Sequence, residues 1–135
     1  MSLVMAVFLL VVLAALGAFI VSMSAVQQAD SALDLQGSRT YQAARSGIEY
    51  GAYQATVGVC AGAITLAVPT DNLGTTMPVT VRCNSTAHTE GLNGAKNLYV
   101  IVANACNQPN GGNCPNTVAP GANYVERELQ ASVFN

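Results

Sequence analysis

The sequence predicts an α+β protein: one long N-terminal α-helix, apolar in its first half and amphipathic in its second, packed on a small antiparallel β-sheet head that carries disulfides. Three observations lead there. Residues 1–29 contain no Lys, Arg, Asp, Glu or His. No proline occurs before Pro69, and strand-like runs separated by Pro, Gly and Asn begin only after Gly58. The cysteines, Cys60, Cys83, Cys106 and Cys114, all fall in that later part. An even number of cysteines in a head this small reads as a disulfide framework formed in an oxidising, extracytoplasmic compartment.

The helix comes first. From Leu3 to Val21 the chain is apolar on every face, whereas a surface helix of a globular domain alternates an apolar stripe with a polar one. A helix over Met1 to Ser22 is roughly 30 Å long, the hydrocarbon thickness of a bilayer. Residues 1–24 are therefore read as an apolar helix able to cross a membrane or to be buried among copies of itself. A cleaved secretory signal is disfavoured, because a basic n-region is missing and the apolar run exceeds the usual core. With no stop signal after Ser22, the helix is expected to continue through residues 25–56, interrupted only by the weak points Gly37, Gly47 and Gly51.

This continuation is amphipathic. Ala25, Ala29, Ala32, Leu33, Gln36, Thr40, Ala43, Ala44, Gly47, Ile48, Gly51 and Ala52 recur at spacings of three and four. The stripe is made of small residues, so its partner approaches closely, and the expected partner is the chain's own sheet. Arg45 and Glu49 are placed to pair at i,i+4, whereas Asp30 and Asp34 repel one another at the same spacing. That doublet is either solvated or meets Arg39 or Arg45 of a neighbouring copy.

The head, residues 57–135, reads as three or four strands. Ala63–Val68 ends at Pro69, and Asp71-Asn72-Leu73-Gly74 reads as a turn. Met77, Val79, Val81 and Cys83 alternate with Pro78, Thr80 and Arg82, as in a half-buried strand. Asn84–Gly94 is polar and turn-rich and is read as a loop. Leu98–Ala103 is the most apolar run and is expected at the centre of the sheet, with Tyr124–Phe134 as an edge strand.

The spacing of Cys106 and Cys114 suits closure of one Pro- and Gly-containing loop, which leaves Cys60 and Cys83 to tie the start of the head to the second strand. Three connectivities are open to four cysteines. Metal ligation is not expected, since no C-x2-C spacing exists and His88 stands alone. Catalysis is not expected either: His88 has no placed nucleophile or acid, and Glu126 and Glu128 share a strand face that reads as solvated. No cofactor motif is present. A formal charge of −2 with scattered Lys and Arg gives no nucleic-acid signal. Asn84-Ser85-Thr86 fits the N-glycosylation pattern, which marks an exposed loop.

The apolar run opening with Met1-Ser2-Leu3-Val4, its amphipathic continuation and the disulfide-bearing β head resemble type IV pilins and pseudopilins. Within that family, the stretch Ala32-Leu33-Asp34-Leu35-Gln36-Gly37-Ser38-Arg39-Thr40-Tyr41-Gln42-Ala43-Ala44-Arg45-Ser46-Gly47-Ile48-Glu49-Tyr50-Gly51 is similar to the P-type minor pilins of mannose-sensitive haemagglutinin pili. The likeness covers about the first 55 residues. It implies a precursor in the bacterial inner membrane, processing by a prepilin peptidase with N-methylation of Met1, and extraction by a pilus assembly machinery. The product is an extracellular helical filament of copies of this chain and other pilins. Leu3, Val4, Met5, Phe8, Leu9, Val12, Leu13, Leu16 and Phe19 are the implied core-packing residues of that filament, and Asp30, Asp34, Arg39, Arg45 and Glu49 the candidate charges between subunits. One departure stands out. Major subunits of the family usually carry a glutamate at the fifth position, where this chain has Met5, and that points toward a minor or tip-proximal subunit. A single-pass anchored module that binds a ligand through Asn84–Gly94 or the Cys106–Cys114 loop is the competing reading.

Overall fold

The computed structural model describes residues 2–70, 76–89, 91 and 94–134, with Ser2 defined by its backbone alone. Its elements are α1 (Ser2–Thr56), β1 (Ile64–Pro69), β2 (Thr76–Thr89), β3 (Ala95–Cys106) and β4 (Glu126–Phe134). The expected α+β layout is present, with a single four-stranded antiparallel sheet in the order β1-β2-β3-β4. The chain divides into two compact units, Met1–Leu35 and Gln36–Asn135.

The first unit is helical throughout its described residues, and every side chain described in it is exposed. Ala25, Ala29, Ala32 and Leu33, assigned above to a buried stripe, are among these exposed residues. The stripe therefore begins to be covered only in the second unit.

In that unit the helix lays a strip of small side chains on the sheet. Gly37, Thr40, Ala43, Ala44, Gly47, Gly51 and Ala55 are buried, and Thr40 satisfies its hydroxyl by donating to the Gln36 carbonyl at 2.7 Å. Facing them are Val79 and Val81 of β2 and Ile101 and Ala103 of β3, all essentially inaccessible to solvent. The two glycines are required by this approach. A Cβ at Gly47 would lie 2.7 Å from Val79 Cγ1, and one at Gly51 would lie 2.5 Å from Ile101 Cγ2. The helix stops at a left-handed Gly58 (φ 76°), where Gly58 N–H donates to Ala55 O at 3.1 Å and Val59 N–H to Gln54 O at 2.9 Å. These two bonds satisfy carbonyls that a helix end otherwise leaves open.

Two of the expected boundaries need correction. Asn84–Thr89 is strand rather than loop: it continues β2 and pairs with Ala95–Val100 of β3. Neither edge strand borders the far end of this hairpin, since β1 reaches only Val81 and β4 only Leu98. Both of its faces meet solvent, so its side chains are polar and the alternation that marks a strand is erased. His88 accordingly sits in a strand opposite Lys96, exposed. The last strand starts at Glu126 rather than Tyr124 and pairs only with β3, at the edge of the sheet as expected. The turn at Asp71–Gly74 lies outside the described residues.

Of the three open connectivities, the chain takes Cys60–Cys83 and Cys106–Cys114, with Cα separations of 5.3 and 5.7 Å. In the chain-entropy account, loops of 23 and 8 residues contribute about 3.4 and 2.5 kcal/mol respectively. For a unit with one helix and one sheet as its core, that is a large share of the net stability.

Candidate functional site

Two features of the chain qualify as candidate sites, and they differ in kind. The first is the apolar surface of the first unit. Leu3, Val4, Met5, Phe8, Leu9, Val12, Leu13, Leu16 and Phe19 are all exposed, from 36% at Val12 to 76% at Leu3. Leu10, Val11, Ile20 and Val21 are exposed as well, so the apolar surface is continuous around the helix. By length and composition the helix is able to cross a membrane. Exposed monomer surfaces seldom carry apolar patches beyond a few hundred Å², and a continuous one of this kind marks contact with lipid or protein. Met1, the candidate processing position, lies outside the described residues.

Among the candidate charges the structure makes one assignment. Arg45 Nε meets Glu49 Oε1 at 3.2 Å on the same helix face, with both side chains about two-thirds exposed. Pairs of this type contribute little, about 0.3–0.5 kcal/mol. Asp30 and Asp34 are exposed and make no ion pair among the described residues, and neither does the half-buried Arg39.

The second feature is on the sheet face opposite the helix, and sequence reasoning missed it. Asn104, near the C-terminal end of β3, is fully buried there. Its amide nitrogen donates to Glu126 Oε1 at 3.1 Å and to Glu128 Oε2 at 2.7 Å, and its oxygen accepts from Arg82 Nη1 at 3.1 Å. Tyr124 O–H donates to Glu126 Oε2 at 2.8 Å, and its oxygen accepts from the Asn116 amide at 2.9 Å. Glu128 is exposed and Glu126 half-buried, so the face is open to solvent as expected, but both carboxylates also accept from the one buried Asn104 amide. Burial pushes the Tyr124 phenol above its usual range, opposed by the Asn116 amide and reinforced by the Glu126 carboxylate.

What covers this face is the loop between β3 and β4. Asn107 holds its two ends together, donating through Nδ2 to Asn123 O at 2.7 Å and accepting from the Val125 amide at 2.9 Å. Cys114, tied back to Cys106, donates its amide to Thr80 Oγ1 at 2.9 Å. Thr80 was expected on the open face of β2 and is instead buried beneath this loop. A polar residue inside the most apolar strand, Val102-Ala103-Asn104-Ala105, was the available signal for the network.

Chemically this network ties the sheet to the loop. Arg82, Asn104, Tyr124, Glu126 and Glu128 are joined by hydrogen bonds, and Arg82 and Tyr124 extend them to the Cys114 carbonyl and the Asn116 amide of the loop, which makes the network a clasp for the loop. Among the described residues no group of three or more His, Cys, Asp and Glu side chains is placed to hold a metal ion. A shallow, mainly apolar cleft of about 120 Å³ lies between the end of the helix and the first two strands, lined by Tyr50, Gln54, Val59, Ile64, Val81 and Cys83. Comparison with protein-family models, curated proteins and solved structures finds no match.

Proposed function

We propose that this chain is a structural subunit of an extracellular, type IV pilus-like filament, assembled through its N-terminal apolar helix with the disulfide-bonded head on the outside. The observation that carries the reading is the helix surface from Leu3 to Val21, apolar on all sides and exposed throughout its described side chains. Lipid tails satisfy such a surface before assembly, and the same surface of other copies satisfies it afterwards. The helix from Gln36 to Thr56 is covered instead by its own sheet, which leaves the first part free for partners. On this reading the precursor resides in the inner membrane, a prepilin peptidase and the assembly machinery act on it, and its partners are copies of itself and other pilins. Its role is structural, and no catalytic step is assigned to it.

Met5 favours a second form of the same reading. A subunit that lacks the family's usual glutamate has no carboxylate in the apolar segment to receive the amine of a neighbour. An unpaired charge in an apolar core is costly, so such a chain suits a low-abundance position that initiates or tips the filament.

The test is electron microscopy of filaments sheared from the native cells, with mass spectrometry to count this chain against the other pilins present. Abundance along the shaft supports a principal subunit. Presence in traces or at the ends supports a minor one. Confinement to the membrane, with the chain absent from filaments, overturns the proposal in favour of a membrane-anchored binding module.

A further inference from the structure

We propose that Arg39 is a docking point for the acidic segment Asp30–Asp34 of a second copy of this chain, an inference that deepens the filament reading above and rests on it. Arg39 sits half-buried at the margin between the helix and the β1–β2 edge of the sheet. Two clefts open beside it. One, of about 130 Å³, is shared with Gln42, Ser46 and Thr70, and the other, of about 210 Å³, with Gln36, Thr76 and Asn107. Both linings combine polar side chains with apolar ones, Val68 and Pro69 in the first and Met77 and Pro78 in the second.

The cations of the chain are few, and most are already engaged. Arg45 is taken by Glu49, Arg82 by Asn104 and the Cys114 carbonyl, and Arg127 by the Glu126 carbonyl. Lys96 is exposed on the polar end of the β2–β3 hairpin. Arg39 makes no hydrogen bond or ion pair among the described residues, although it is partly withdrawn from water. A carboxylate in either cleft would meet a guanidinium built for two-point recognition in a setting less screened than open surface.

The acids of the described residues are equally accounted for. Glu49 is paired, and Glu126 and Glu128 are held on Asn104. Asp30 and Asp34 are left, exposed, without ion pairs, and the only charged side chains in residues 1–35. They stand five and nine positions from Arg39, whereas helical side chains meet at three and four. A pairing of either with Arg39 along this helix is thereby disfavoured, which leaves the Arg39 of another copy as the partner proposed.

Carbodiimide crosslinking of the full chain in its filaments tests this, using an Arg39→Lys variant that places an amine at the site. The expected result is covalent dimers and longer ladders whose linked peptides join position 39 of one copy to Asp30 or Asp34 of another, a link that the unsubstituted chain, with Lys96 as its side-chain amine, does not form. Arg39→Glu should lower filament yield at least several-fold, and combining it with Asp30→Arg and Asp34→Arg should restore it. Position-39 links that never include Asp30 or Asp34 of another copy, or filaments of the Arg39→Glu variant as abundant as those of the parent, overturn the inference while leaving the filament reading intact. A parent chain that never enters a filament overturns that reading, and the inference falls with it.

Discussion

Replacing Gly51 with alanine measures how closely the helix is set on the sheet. A Cβ at this position would lie 2.5 Å from Ile101 Cγ2 and 3.2 Å from Val81 Cγ1, where carbon atoms settle at about 3.5–4.0 Å. Ile101 is fully buried, so it has little room to turn away, and relief comes from lifting the helix by about 1 Å. Two terms then oppose each other. Alanine is preferred over glycine inside a helix by about 1 kcal/mol. Overpacking a filled core costs about 1–3 kcal/mol, and a contact a full ångström short belongs in the upper part of that range. The net expectation is a loss of about 1–2 kcal/mol, which lowers Tm by about 5–15 °C in a unit of this size. Thermal melting of the full chain in detergent micelles, followed by circular dichroism with the disulfides intact, gives the answer. Gly17→Ala is the control, because nothing lies within 4 Å of a Cβ there and only the favourable helix term acts. A Gly51→Ala chain that melts at or above the parent temperature refutes the close-packing argument.

Further expectations concern the other two features and the pH response. Leu10→Arg places a charge at the middle of the apolar segment at a cost of about 2.5–3.5 kcal/mol on insertion scales, and should abolish assembly; normal filaments from that variant would sink the core model. Asn104→Leu strips Arg82, Glu126 and Glu128 of their shared partner inside the clasp, and should destabilise the second unit by about 1–3 kcal/mol in denaturant titrations. Asn104→Asp should cost more, since it sets a third carboxylate between two others. For Tyr124, whose phenol is held above its usual range, the contribution to stability is complete below about pH 10 and is lost as the pH rises through the higher folded value. Unfolding titrations across that alkaline range should show the decline in the parent and its reduction in Tyr124→Phe; identical alkaline slopes would contradict the assignment.

Much of the second unit could be read in advance because its signals are local and periodic. The small-residue stripe from Ala25 to Ala52 announced a helix face that packs closely, and from Gln36 onward it does so, with Gly47 and Gly51 against Val79, Val81 and Ile101, whereas Ala25 to Leu33 are exposed. The alternation Met77, Val79, Val81 and the apolar run Leu98–Ala103 each specified a strand. The polar end of the β2–β3 hairpin escaped notice, because a strand exposed on both faces has no alternation to display. Asn104 and the two glutamates escaped for another reason. Periodicity tells which residues share a face, and it is silent on whether a distant loop will cover that face.

The amino-acid sequence by itself determined the apolar helix and its surplus of uncovered surface, and the α+β layout with Leu98–Ala103 inside the sheet and the last strand at its edge. These follow from composition and from repeats of two and of three to four residues, which act over a few neighbours. Only the tertiary structure decided the rest. It chose one of three disulfide connectivities and folded the β3–β4 loop over the sheet, burying Thr80 and Asn104 on what would otherwise be an open face. It also bound Arg82 and left Arg39 beside two open clefts. Each of these outcomes depends on side chains brought together from distant parts of the chain, and no local pattern encodes which of them will meet.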